Sequence, residues 1–198
     1  MLDKARPMVQ PILLRVAKPF ARIHPNWITL IGFIFGVAFF CTMRRGYYPL
    51  SLLMLVGVSI DSLDGTVARM SGKASQFGAF FDSSMDRFTD VFLVAAFAAS
   101  GFISWELAMA TAVMGLMISY TRGTAEKLTA NKIKFAVGLM ERPERLLTIA
   151  LATLAVVFWP AKEFGGVNIV ELLFWLLLIL STLTVAQRFW AGYQKLEK

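Results

Sequence analysis

D-S-L-D-G-T-V-A-R-M-S-G-K-A-S-Q-F-G-A-F-F-D-S-S-M-D, residues 61–86, decides how the rest of the chain is read. Four carboxylates, Asp61, Asp64, Asp82 and Asp86, stand in a chain otherwise suited to lipid. On a helix, Asp61 and Asp64 are i, i+3 neighbours and Asp82 and Asp86 are i, i+4 neighbours, so each pair projects from one face. Ser71, Gly72 and Gly78 lie between the pairs, which predicts two helices joined by a tight turn and brings the four carboxylates together. Unneutralised, four such charges in a low-dielectric bundle would repel one another strongly. One or two divalent cations resolve the conflict, and hard oxygen ligands favour magnesium or manganese. Asp61, Asp64 and Asp82 are the first candidate ligands. Asp86, one turn deeper, completes a second metal position and is placed to take a proton. Asp90 continues the same face and is assigned to helix packing or to supporting the metal ligands from behind.

The surroundings of this stretch exclude a soluble protein. At 198 residues the chain has the length of one domain, 1–198. Its 57% hydrophobic and 17% charged residues predict an all-α integral membrane protein. A net charge of +7 would suggest nucleic acid for a soluble chain. Beside lipid it marks cytoplasmic loops, anionic headgroups or an anionic substrate, so no nucleic-acid partner is expected. No cleaved signal peptide is expected. Cys41 falls in an apolar run and reads as an inert thiol.

Residues 1–24 mix basic and apolar positions and predict an interfacial amphipathic helix. Within 25–190 six apolar segments follow, at 27–43, 48–68, 78–100, 104–125, 146–160 and 169–189, each approaching the ~20 residues that cross a bilayer. Of the Lys and Arg residues, sixteen fall in the amino-terminal segment, the 69–77 turn, the 122–145 connection and the tail. The opposite loops hold three, Arg44, Arg45 and Lys162. This bias predicts a multi-pass cell-membrane protein with both termini and the aspartate site cytoplasmic. The 122–145 connection reads as one long cytoplasmic loop. Arg44 and Arg45 run against the trend, and outer-leaflet headgroups are the one account of them.

The residues fit D-x-x-D-G-x-x-A-R-x8-G-x-x-x-D-x-x-x-D at every position, through Asp61, Asp64, Gly65, Ala68, Arg69, Gly78, Asp82 and Asp86. This resembles the defining motif of the CDP-alcohol phosphotransferases, integral membrane enzymes of phospholipid synthesis. The resemblance implies that Gly65, Arg69 and Ser75 hold the cytidine diphosphate of a CDP-linked lipid. A P-x-x-h-T pattern (h, apolar) in the family contributes to the same site, and Asn26, Trp27, Ile28 and Thr29 occupy it here. It further implies that Asp86 is the general base and that the enzyme is a homodimer. In the reaction an alcohol attacks the lipid-side phosphorus and expels CMP.

The acceptor is read from the cations that end the later segments. S-Y-T-R-G-T-A-E (119–126), E-R-P-E-R-L (141–146) and V-A-Q-R (185–188) resemble segments of the phosphatidylinositol-phosphate synthases, including their archaetidylinositol counterparts. Ser119, Arg122, Arg142, Arg145 and Arg188 would converge on a dianionic phosphate. The implied activity transfers a phosphatidyl or archaetidyl group from CDP-diacylglycerol or CDP-archaeol to inositol 1-phosphate. Thr124 stands where the bacterial pattern has a second cation. Glu126, Glu141 and Glu144 are expected to pair with neighbouring arginines. Alternatives are a phosphatidylglycerophosphate synthase using glycerol 3-phosphate and, outside this class, an ion-coupled transporter. The absence of repeated halves argues against transport. An aspartate-rich prenyltransferase would carry acidic motifs farther apart than the 17 residues between Asp64 and Asp82.

Overall fold

A computed structural model describes residues 19, 23–60, 64–129, 135, 137–159 and 168–196, with Asp64 described for its backbone only. Seven helices and no strand occur among the described residues. They are α1 (Pro25–Arg44), α2 (Tyr48–Val58), α3 (Asp64–Met70), α4 (Gln76–Ala99), α5 (Trp105–Leu128), α6 (Arg142–Phe158) and α7 (Ile169–Leu196). Each predicted apolar segment coincides with one of these, 48–68 being covered by α2 and α3. Of these helices, α1 and α7 are long and apolar enough to cross a membrane by length and composition. The predicted interfacial helix at 1–24, apart from residues 19, 23 and 24, and the motif's first aspartate, Asp61, lie outside the described residues.

The chain forms two compact units, residues 1–96 and 97–198, with α4 running from the first into the second. In the first unit, Pro25 takes the start of α1, where a missing N–H costs nothing. Nδ1 of His24 caps the same end by accepting from Asn26 N at 3.4 Å. Crossings in this unit are made by small residues. A Cβ on Gly57 would lie 2.5 Å from the Phe35 ring, and one on Gly36 would lie 2.9 Å from the Thr89 methyl. The bare glycines let a neighbouring side chain lie directly on the helix backbone there. Ser51 Oγ donates to Thr42 Oγ1 at 2.9 Å, a cross-helix bond worth about 1 kcal/mol. Phe33 and Phe40 meet Phe88 and Phe92 edge-on, fastening α1 to α4.

The second unit is fixed at its helix starts. Ser104 Oγ accepts from Leu107 N at 3.2 Å and caps α5. Asn168 caps α7 by accepting from Glu171 N at 3.1 Å, and its amide donates to Phe102 O at 2.7 Å. Phe97 and Phe174 pack with ring centroids 4.9 Å apart. Buried hydroxyls on Thr111 and Thr153 return to the carbonyls of Leu107 and Ile149 and are satisfied within their own helices.

Two boundaries differ from the sequence reading. The basic connection does not begin at residue 122, because α5 runs on to Leu128: Arg122 and Glu126 form an i, i+4 ion pair that extends the helix. At the other end α6 begins at Arg142, with Pro143 in its first turn.

Candidate active site

The aspartate stretch folds as two helices with a tight turn between them. α3 ends on Gly72 in the left-handed region (φ 65), Ser71 N donates to Val67 O, and Lys73 N reaches back to Ala68 O at 3.0 Å. That is a Schellman ending, which only a glycine adopts without strain. Ser75 then caps α4: its Oγ accepts from Gly78 N at 2.9 Å and its carbonyl from Ala79 N at 3.1 Å. The turn therefore holds the N-terminus of α4 beside the last turn of α3.

Between these elements and the start of α1 lies a cavity of about 280 Å³. Pro25, Asn26, Thr29, Gly65, Ala68, Arg69, Lys73, Ala74, Ser75, Gly78, Ala79 and Asp82 line it. Asn26, Thr29, Gly65, Arg69 and Ser75, five of the seven residues expected at a nucleotide site, thus share one cavity. The other two do not line it: Trp27 is 60% exposed and Ile28 only 2%. Successive residues of a helix are rotated about 100° from one another, so four consecutive positions cannot all face one cavity: Asn26 and Thr29 do, while Trp27 and Ile28 turn away. Ile28 instead packs on Val67, clamping α3 to α1 and so setting the cavity's width. Gly78 is closely approached by two of these residues: a Cβ there would stand 3.0 Å from Ser75 Oγ and 3.2 Å from Asn26 Oδ1, tighter than ordinary contact, so the bare glycine lets both polar groups close on the start of α4.

Asp82 lines the cavity half-buried, and Asp86 follows one turn along α4 at 9% exposure. Arg87 Nη1 lies 3.7 Å from Asp86 Oδ2. Asp61 and the side chain of Asp64 lie outside the described residues, and among the described residues no group of three metal-ligating side chains occurs. The described half of the donor set fits a hard divalent cation: carboxylate oxygens on consecutive turns of one helix, one of them deeply buried. Asp90 lies a further turn along α4.

In the second unit, arginines and glutamates interlock. Arg122 Nε donates to Glu126 Oε1 at 3.0 Å, and its Nη1 lies 3.5 Å from Glu141 Oε1. The same Glu141 oxygen lies 3.5 Å from Arg188 Nη2. Arg188, on α7 and 2% exposed, also donates to Val137 O at 2.7 Å and to Ile118 O. Arg145, buried on α6, lies along α5 at Gly115, and Ser119, one turn on, donates to the Gly115 carbonyl at 3.4 Å. Arg142 occupies the first turn of α6. The structure therefore gathers Arg122, Arg145 and Arg188 on the 115–122 segment of α5, with Glu126 and Glu141 pairing as the sequence led one to expect. Thr184 is the residue that sequence reasoning missed. Its hydroxyl accepts from Leu139 N at 3.2 Å and Met140 N at 3.0 Å while donating to Leu180 O at 2.8 Å. No local pattern marks it, because its partners lie about 45 positions away.

Residues 22–189 match the family model described as CDP-alcohol phosphatidyltransferase. The chain belongs to that family. It is accordingly an enzyme, a membrane-associated transferase of phospholipid synthesis. The archaetidylinositol phosphate synthase of Pyrococcus horikoshii is 34% identical over all of this chain and 99% of its own length. The phosphatidylinositol phosphate synthase of Cutibacterium acnes is 33% identical over 77% of each chain. Among solved structures, the Mycobacterium tuberculosis phosphatidylinositol phosphate synthase in complex with manganese and citrate superposes with a TM-score of 0.74 at 25% identity, covering 91% of this chain and 88% of that one. The family's all-helical membrane fold is thus the fold of this chain.

Proposed function

We propose that this family member transfers the phosphatidyl or archaetidyl group of a CDP-linked lipid to a hydroxyl of inositol 1-phosphate and releases CMP. The observation that carries the choice of acceptor is the gathering of Arg122, Arg145 and Arg188 on one segment of α5. A neutral alcohol needs no such cluster, whereas a phosphate dianion does. Relatives named for inositol phosphate synthesis support the same reading.

In this reading Asn26, Thr29, Gly65, Arg69 and Ser75 hold the cytidine diphosphate, with the capped N-terminus of α4 favouring negative charge. Asp61, Asp64, Asp82 and Asp86 would hold two magnesium or manganese ions, which would polarise the pyrophosphate as Lewis acids when bound. Asp86 takes the proton of the acceptor hydroxyl. The freed oxygen forms a bond to the lipid-side phosphorus, and the bond from that phosphorus to the bridging oxygen breaks, its electron pair leaving with CMP. Arg69 forks onto phosphate, while Arg122, Arg142, Arg145 and Ser119 orient the acceptor. Arg188 spends donors on two carbonyls and Glu141, so it fixes the pocket's frame and offers its remaining N–H groups to the phosphate.

The same reading includes a single membrane domain of six spans, a homodimer, and termini and active site on the cytoplasmic side. Outward-facing Leu53, Phe80, Phe88, Met109, Leu147 and Leu151 support a lipid surround for helices beyond α1 and α7. CMP release from CDP-diacylglycerol and CDP-archaeol, measured across a panel of alcohols and alcohol phosphates, tests the proposal. Release is expected with inositol 1-phosphate and a divalent cation. Release with glycerol 3-phosphate but not inositol 1-phosphate would overturn the acceptor assignment.

A further inference from the structure

We propose that Lys73 binds the nucleotide-side phosphate of the CDP-lipid and stabilises the departing CMP, an inference that rests on the nucleotide reading of the cavity given above. Sequence alone counts Lys73 only towards the positive charge of the cytoplasmic side. The structure gives it an address. Its backbone is fixed by the 3.0 Å bond to Ala68 O and by the left-handed Gly72 before it. It lines the same cavity as Arg69, Ser75 and Asp82. A lysine at this point of a Schellman turn is held at its root while its ammonium remains a movable point charge with three donors.

Charge accounting gives Lys73 a task. The four motif carboxylates are set against divalent cations, so the two negative charges of the pyrophosphate fall to other groups. Arg69 and Lys73 are the cations that line the cavity. Arg69 Nη2 is turned along α3 to Thr66 Oγ1 at 3.3 Å. Lys73 projects from the turn that follows, where α4 begins. During transfer the hydroxyl proton goes to Asp86, the new oxygen–phosphorus bond forms, and the bridging bond breaks towards the nucleotide. The nucleotide phosphate thereby passes from one negative charge towards two. A cation beside that phosphate gains interaction energy as the bond breaks, which lowers the barrier rather than only tightening binding. An anionic lipid headgroup offers the same phosphate chemistry to an exposed lysine, so the test must separate the two.

CMP binding to the full chain in neutral detergent with magnesium, measured by titration calorimetry, makes that separation. Lys73→Ala is expected to weaken CMP binding about five- to ten-fold, the effect of one charge-assisted contact at a partly solvated site. The difference should shrink at high salt, and Lys73→Arg should restore most of it. In turnover, Lys73→Ala should lower kcat and leave the acceptor KM unchanged. Equal CMP affinity in Lys73→Ala and wild type would overturn the assignment alone. Absence of CMP binding in the wild type would overturn it together with the nucleotide reading. A difference seen only in nanodiscs with anionic lipid, and not in neutral detergent, would assign Lys73 to headgroups and also overturn it.

Discussion

Thr184→Val is the sharpest test of how the arginine cluster is held. The substitution keeps shape and replaces one hydroxyl by a methyl group. That hydroxyl uses its full capacity, accepting from Leu139 N and Met140 N and donating to Leu180 O. Thr184 itself is fully buried and Met140 nearly so. Removing the hydroxyl leaves two backbone N–H groups without their acceptor, at about 1–3 kcal/mol for a donor that finds no replacement. Leu139 is exposed and can turn to water, so one orphaned donor, about 2 kcal/mol, is the expected net loss. In a chain of this length that lowers Tm by roughly 4–8 °C. The functional consequence follows from what the 137–141 strap carries. Val137 O and Glu141 both engage Arg188, and Glu141 also engages Arg122. A loosened strap lets both guanidinium groups wander, and about 2 kcal/mol of lost positioning is roughly 30-fold in kcat/KM for the acceptor. KM for the CDP-lipid should hold, because its cavity is built from residues 25–82. Thr184→Ser, which keeps the hydroxyl, should retain most of the activity. The assay is steady-state CMP release with each substrate varied in turn, alongside thermal unfolding in detergent. A Thr184→Val enzyme with unchanged acceptor kinetics, or one in which both substrates suffer equally, would refute the reasoning.

Three further outcomes are expected. Asp86→Asn should abolish turnover while largely sparing CDP-lipid binding; near-normal CMP release by this variant would remove Asp86 as the base. Arg145→Ala should raise the acceptor KM by at least ten-fold, the order expected for losing a buried charge-assisted contact, and that for CDP-lipid far less; equal changes in both would dissolve the idea of a separate phosphate pocket. Exhaustive chelation should stop CMP release and added magnesium or manganese should restore it, whereas full activity after chelation would exclude the carboxylates as a cation site.

The chain's helices were readable because lipid-facing segments must be apolar over many residues, and that leaves a pattern no turn can imitate. The aspartate stretch was readable for a second reason: every determinant is local. Ser71, Gly72 and Ser75 terminate and restart helices within a few residues, so spacing translates directly into geometry. At 26–29 the family pattern runs over adjacent residues, and contiguity alone does not say which of them face the cavity. The helix turns Asn26 and Thr29 to the cavity, sends Trp27 outward and buries Ile28 against Val67.

Arginine positions could be anticipated from the ends of segments, but not their division of labour. Arg188 reads in sequence like Arg122, a cation finishing an apolar run. In the fold it is nearly inaccessible, and its donors meet the carbonyls of Ile118 and Val137 as well as Glu141. Those partners are 47 to 70 residues away along the chain, a separation at which composition and periodicity carry no information. The physical logic is nonetheless strict. A guanidinium cannot be stripped of water unless carbonyl or carboxylate oxygens replace it, so a buried arginine obliges the fold to bring oxygens from several elements to one point. That obligation makes Arg188 the knot tying α5, the 137–141 strap and α7. It leaves the half-exposed Arg122, shared between Glu126 and Glu141, as the more readily released cation when a phosphate arrives.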